Sequence, residues 1–308
     1  MAVTERPGWA FEDGGVSNQS AKGEGSISGG RQGTQGLYEQ SSVQHFPLGY
    51  RLAFDDGRVF RYAQFDAAVT PAGKLVAPVA ATQLIPDGAN TAIVDSAGTN
   101  AADYASTDNV TTLYLKDTNI GITVAISDDC LAGGYFQICD NPHAVAGEGM
   151  QYRIKSNAYT AATSVMRLDL YDKIVTNIGS EAQVALTGCL YRGLMTATYG
   201  ATASVPVGVP TVAMTAKYYG WVQTWGPCAI LCDASAGTVA AGTIATLSDG
   251  VAGAAQPLSG GFLKAEVSEG MVTQDLDFTN VIVDPIIGFF VSAGTNTNYV
   301  PVYLQLNP

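Results

Sequence analysis

Two histidines, five cysteines and three closely spaced carboxylate pairs are the side chains from which this chain could build chemistry. His45 and His143 each stand alone, with no second histidine at metal-ligand spacing and no H-E-x-x-H signature. His143 lies in the turn-like stretch DNPHAVAG, where a solvated turn residue is the ordinary outcome. Cys130, Cys139, Cys189, Cys228 and Cys232 are odd in number and unpatterned. They predict free, mostly buried thiols in a reducing compartment rather than a disulfide framework. Cys228 and Cys232 would share one face of a strand, but no companion pair completes the four ligands of a zinc site. No cofactor is expected.

The carboxylate pairs Asp55/Asp56, Asp128/Asp129 and Asp275/Asp277 each lie in or beside a turn, where aspartate caps backbone groups. Glycoside hydrolysis needs two acids facing each other across a cleft, which sequence spacing does not encode. The stretch QDLDFTN lacks the glycine and downstream glutamate of an EF-hand loop. There is no G-x-S-x-G elbow, no phosphate-binding P-loop and no dinucleotide fingerprint opening a helix. Arg58 and Arg61 fall on opposite faces of a strand, so they do not form a bidentate clamp. These residues predict a protein that is not an enzyme.

The elements that would carry these side chains are strands. Of the 308 residues 47% are hydrophobic and only 14% charged, and glycine is abundant at 35. That mixture suits short strands joined by many turns. The net charge of −12, with no run of Lys or Arg, argues against a nucleic-acid partner. No uninterrupted apolar stretch is long enough for a transmembrane helix, and the first residues do not read as a signal peptide, so no membrane partner is expected.

Residues 14–36 carry eight glycines and three apolar side chains, Val16, Ala21 and Ile27, and predict a flexible arm whose tip holds Trp9 and Phe11. From Gly49 onward, turn signals recur at roughly ten-residue spacing, the mark of an all-β sandwich or barrel. Asp56-Gly57 predicts a type I′ hairpin. Strands are expected at 74–79, 91–95, 110–115, 120–127, 133–139 and 148–156. MRLDLYDKI alternates strictly and reads as a strand, with a short helical turn at 158–164. Further strands are expected at 210–216, 228–233, 241–250, 260–268, 279–294 and 299–306. SVPVGVP reads as a linker, which gives an arm over 1–47, a first β-domain over 48–205 and a second over 206–308.

KYYGWVQTWGPC, Lys217 to Cys228, concentrates two of the three tryptophans. A period of two puts Tyr219, Trp221, Gln223 and Trp225 on one face, a row open to three readings: sugar platform, protein-binding patch or sheet interior. Gly220 and Gly226 on the opposite face leave bare backbone that another chain can approach. Core or subunit-interface packing of Tyr219, Trp221 and Trp225 is favoured, with Gln223 the one side chain of the row needing a polar partner.

Three stretches in order, DGRVFRYAQFDAAVTPAGKLV, GGYFQICDNPHAVAGEGMQYRIKSN and YYGWVQTWGPCAILCD followed by AGTIATLSDGVAGA, resemble β-rich virion proteins of tailed bacteriophages. GEG-x-x-YRIK and YGW-x-QT-x-G are the most specific segments, and the resemblance is to the head decoration, or capsid cement, type. It implies a non-enzymatic protein made in the host cytoplasm and bound to the outer surface of the capsid. Its partners would be the major capsid protein and further copies of itself, as a trimer. Terminal arms would clamp adjacent capsomers, with Trp9, Phe11, Arg31, Tyr38 and His45 as the candidate partner contacts. The lack of long helices separates the chain from the shell-forming protein itself. A tail, fibre or receptor-binding component is the alternative, and a carbohydrate-active enzyme a lesser one.

Overall fold

Segments in which apolar and polar residues alternate pair into sheets, almost all antiparallel, in the computed structural model of the chain. The structure describes residues 35–66, 69–78, 103–116, 128–140, 147–160, 165–180, 182–198, 205–235, 237–258 and 285–308, with the backbone of 9–12, 15–18 and 92–93. The first strands are β1 (Trp9–Glu12), β2 (Gly15–Asn18), β3 (Arg51–Ala53), β4 (Val59–Gln64) and β5 (Val76–Pro78). Then come β6 (Ala92–Ile93), β7 (Thr112–Lys116), β8 (Tyr135–Asp140), β9 (Gln151–Thr160), β10 (Val165–Leu170) and β11 (Gln183–Thr187). The rest are β12 (Leu194–Thr196), β13 (Val209–Pro210), β14 (Tyr219–Leu231), β15 (Ile244–Leu247), β16 (Ala255–Pro257), β17 (Ile286–Phe290) and β18 (Tyr299–Gln305). The protein is all-β, as its composition predicts. Among the described residues no helix is long and apolar enough to cross a membrane.

The chain divides into two compact units, but not at residue 205. One unit joins residues 1–77 to 194–308, and the other is the intervening segment 78–193. The reason is strand pairing: β14 bonds β4 along Tyr219–Trp225, so the start of the expected first domain and the expected second share one sheet. Residues 205–210 are not a linker. Val207 and Val209 are buried, Val207 N donates to Val76 O, and β13 pairs with β14.

In the first unit the sheet runs β1-β2-β3-β4-β14-β18-β17-β15-β16, with β13 also on β14. A parallel bridge from Cys232 to Ala255 returns the path from β16 to the end of β14. Strands β14, β18, β17, β15 and β16 thus close into a barrel-like ring around Ile230, Ala245, Leu247, Ile287, Phe290, Val300, Val302 and Leu304. The hairpin at Asp56-Gly57 forms, with a different turn from type I′. Gly57 N donates to Phe54 O and Phe54 N to Arg58 O, and of the loop residues only Gly57 has positive φ, at 86°. Two aspartates at negative φ followed by a left-handed glycine make a type I turn with a bulge.

The arm is shorter than residues 1–47. Gln35 and Leu37 are buried, Ser41 bridges Tyr219, and residues 35–47 belong to the fold of the first unit. The backbone of β1 and β2 forms a hairpin whose second strand lies parallel to β3. The side chains of Trp9 and Phe11, and all of Arg31, lie outside the described residues, as do His143, Asp275, Asp277 and the strands expected at 120–127 and 260–268.

The second unit is a sheet of order β11-β8-β9-β10-β7-β6 over a core of Leu113, Leu115, Phe136, Ile154, Leu168 and Val184. MRLDLYDKI contributes β10, and the expected helical turn is instead the end of β9 up to Thr160; residues 161–164 lie outside the description. The strand expected at 210–216 contracts to the two residues of β13. On β10, Asp169 stands opposite Ser156 of β9 and Thr112 of β7. Both hydroxyls donate to its carboxylate, at 2.8 and 2.7 Å. Burial pushes the Asp169 carboxyl up, but bonds from Thr112, Ser156 and Arg167 outweigh it and hold the group below the usual carboxylate range.

Asp233, 1% exposed, plays the corresponding part in the first unit. It accepts Ser248 Oγ at 2.6 Å and Ser235 N at 2.9 Å, and Ser248 Oγ in turn accepts the amides of Gly250 and Val251. Burial raises its pKa, and the Ser235 and Ser248 bonds more than reverse that, leaving it depressed. A depressed carboxyl contributes stability above its unfolded value of about 3.9 and loses it as pH falls through the folded value. Asp233→Ala is therefore expected to cost about 1.5–3 kcal/mol at pH 7. In urea unfolding followed from pH 7 to pH 2, the gap to the wild type should narrow below about pH 4. A gap independent of pH would contradict this role.

Candidate binding face

Strand β14 decides where aromatic side chains are buried and where they are shown. Its first half, Tyr219–Thr224, lies between β4 and β13, and the short segment from Gln35 to Phe46 packs against it. Trp221 is fully buried, with the rings of Tyr62 at 5.1 Å and Phe46 at 5.4 Å. Its Nε1 donates to Gln35 O, and the Gln35 amide donates to Tyr219 O and Glu39 O. Tyr62 Oη donates to Gln35 Oε1 and accepts from His45 N, so the polar atoms entering this aromatic cluster are paired. Burial pushes the Tyr62 phenol up to about 12.

The period of two does not persist along β14. The register against β4 slips between Gln223 and Trp225, and Gly226 follows at a φ of 87°. A bulge inserts an extra residue, so Tyr219, Trp221, Gln223 and Trp225 do not form one row. Tyr219 is half-buried and stacks on Tyr62, whereas Trp225 leaves that cluster and meets Tyr303 edge-on at 6.2 Å. Gln223 finds its polar partners in Trp225 O and Pro227 O. The bare backbone at Gly220 and Gly226 is approached by the chain itself, through Met214 and Arg58.

Beyond the bulge, β14 turns its alternate residues outward beside β18 and β17. Pro227 stands opposite Tyr303, Tyr303 opposite Phe289, and Phe289 opposite Ile244. Ala229 pairs Pro301, whose carbonyl takes the amide of Val291, and Leu231 pairs Tyr299. Tyr303 is 37% exposed, Phe289 39%, Val291 52% and Tyr299 52%. None of these residues carries a charge, in a chain whose net charge is −12. The result is a contiguous, outward, aromatic face.

Sequence reasoning found Trp225 but missed Phe289, Tyr299 and Tyr303. The alternation Tyr299, Pro301, Tyr303 against Val300, Val302, Leu304 is the signal: an apolar residue at every position from 299 to 304 of a strand with one face in the core. Of the expected partner contacts, Tyr38 is exposed at the rim of a groove beside this face. His45 is half-buried, its Nε2 3.0 Å from Ser41 Oγ within the fold.

The thiols are unpaired. Burial pushes Cys228 up to about 12 and raises Cys130, Cys189 and Cys232, so these four remain protonated and unreactive at neutral pH. Among the described residues no group of three or more His, Cys, Asp or Glu side chains is placed to hold a metal ion.

Because the Tyr62 phenol is raised above its unfolded value of about 10, its stabilising effect is complete below pH 10 and lost as pH rises towards 12. Tyr62→Phe leaves Gln35 Oε1 without its buried donor and is expected to cost about 1–3 kcal/mol at pH 7. Thermal unfolding at pH 7, 10 and 11.5 checks both statements: the variant should lose less stability than the wild type over the alkaline limb. No family model, curated protein or solved structure matches the chain.

Proposed function

We propose that this chain is a non-enzymatic decoration, or cement, protein of a tailed-bacteriophage head. In this reading it binds the major capsid protein on the outer surface of the shell and associates with further copies of itself as a trimer. The observation that supports it is the charge-free face of Trp225, Phe289, Val291, Tyr299 and Tyr303 on a closed β scaffold. Protein contact surfaces are enriched in tyrosine, tryptophan and phenylalanine at their centre and depleted in charge there. An exposed apolar patch of this kind is in keeping with a protein contact. The acidic remainder of the chain would steer it towards a basic partner surface and away from other acidic ones. The resemblance of its sequence segments to head decoration proteins supplies the biological setting.

Attachment in this reading is the sum of many copies each making a modest contact, reinforced where the N-terminal segment reaches a neighbouring capsomer. The test is a pair of substitutions, Phe289→Asp and Tyr303→Asp, which place carboxylates at the centre of the face. Each is expected to weaken capsid binding by about 2 kcal/mol or more, roughly thirtyfold, with the monomer's unfolding curve little changed. Head occupancy by quantitative mass spectrometry and particle melting are the readouts. Wild-type occupancy by both variants would overturn the face as the capsid contact. Labelled protein confined to the tail tip of native particles would favour a tail or receptor-binding role instead. Removing residues 1–34, which takes the β1–β2 hairpin from beside β3 but leaves Gln35 and the strands from β3 onward, tests the arm: unchanged particle stability would remove the clamp from the reading.

A further inference from the structure

Strand β9 of the second unit carries two cations on its outward side. Residues 151–155 alternate, with Tyr152 and Ile154 buried in the core of that unit and Gln151, Arg153 and Lys155 exposed. Arg153 stands directly opposite Tyr135 of β8, and its guanidinium carbon lies 5.3 Å from the centre of the Tyr171 ring. Both tyrosines are exposed, at 41% and 57%. We propose that this face is a self-association site, at which Arg153 and Lys155 of one copy receive the segment Asp275-Leu276-Asp277 of a second copy of this chain.

The face lacks its anions. Among the described residues no carboxylate forms an ion pair with Arg153 or Lys155, in a chain that holds 27 acidic residues to 15 basic ones. The carboxylate of the adjoining strand, Asp169 on β10, is taken up by Thr112, Ser156 and Arg167. It answers the charge of Arg167 and leaves the other two cations unanswered. The Tyr171 ring restrains the Arg153 guanidinium without using its N–H groups, so an arriving carboxylate meets the whole donor fork.

Spacing and charge select the occupant. Residues two apart on a strand point to one face, about 6.8 Å from each other. Arg153 and Lys155 are the only two basic residues of the chain with that separation in sequence, and Asp275 and Asp277 the only two acidic ones. In an extended segment the two carboxylates therefore match the two cations in spacing and oppose them in sign. Asp275 and Asp277 lie outside the described residues, and it is their sequence that makes the match. A long polyanion such as a nucleic acid suits the face less, because a net charge of −12 repels it over the rest of the surface. A contact between two different patches of identical copies is heterologous, and it closes into a ring where the rotation allows. It thus deepens the self-association part of the proposed function, on which it rests, and involves no capsid contact.

Sedimentation velocity of the full chain, with no capsid present and with thermal unfolding of each variant as a check on folding, tests the contact. The wild type is expected to associate below about 0.5 mM. Arg153→Glu with Lys155→Glu, and separately Asp275→Lys with Asp277→Lys, should each weaken association by about tenfold or more. An equimolar mixture of the two variants should associate again, because each copy then meets opposite charge on its neighbour. Arg153→Gln with Lys155→Gln serves if a charge reversal does not fold, and should weaken association in the same direction. The labelled peptide acetyl-Thr-Gln-Asp-Leu-Asp-Phe-Thr-Asn-amide should bind the Asp275→Lys, Asp277→Lys chain about fivefold tighter than the peptide with both aspartates replaced by asparagine. A wild type that stays monomeric overturns this contact and the self-association of the preceding reading together. Association that survives both reversals, or a mixture no better than its components, overturns this contact alone. Tighter binding of single-stranded oligothymidine than of the peptide, lost with Arg153→Gln and Lys155→Gln, overturns it in favour of a nucleic acid.

Discussion

The pairing of β14 with β4 on one side and β18 on the other is the contact on which the first unit depends. It brings residues 59–64 against 219–225 and 299–305 against 225–231, so three segments distant in sequence share one backbone ladder. Once the ladder is made, Trp221 has no route to water, and the segment from Gln35 to Phe46 is what closes over it. Closing such long loops costs only slowly growing entropy, whereas the buried tryptophan, tyrosines and phenylalanines contribute several kcal/mol each.

Surface ion pairs add little to the fold of the described residues. The ion pairs Arg58–Asp56, Arg167–Asp169 and Lys217–Asp66 are all at the surface, where such pairs are worth about 1 kcal/mol or less. What the carboxylates of Asp169 and Asp233 do instead is accept hydroxyl and amide hydrogens at points where strands or loops meet. Arg61 does similar work as a donor, reaching Gly49 O, Asn307 Oδ1 and Pro308 O. A lightly charged chain can thus leave one large face without any charge and still anchor its loops.

The bulge in β14 links fold to surface. Without it the period of two would continue, and Trp225 would stay in register with Trp221. With it, the strand divides its aromatic residues between a sealed core and an exposed patch beside Tyr303. Gly226 at positive φ, with the backbone of Gly57 and Arg58 against it, is the local cause that the glycine in KYYGWVQTWGPC only hinted at.

Local pattern was enough to read the strand class, the hairpin at Gly57, β8 with β9, and the alternation of β10. Those features rest on neighbours a few residues apart, which the sequence displays directly. The division at residue 205 was not legible, because a linker and a short buried strand such as Val209–Pro210 have the same Pro, Val and Gly composition. The aromatic face was half legible: Tyr299, Pro301 and Tyr303 alternate with Val300, Val302 and Leu304, but the sequence does not say which of two apolar faces is left uncovered. By itself the sequence determined that this protein is built of strands, with few charges and free thiols. Only the tertiary structure decided which segments share a sheet and which apolar faces are covered. The physical reason is that strand partners and the cover over each face are supplied by residues far away in the chain.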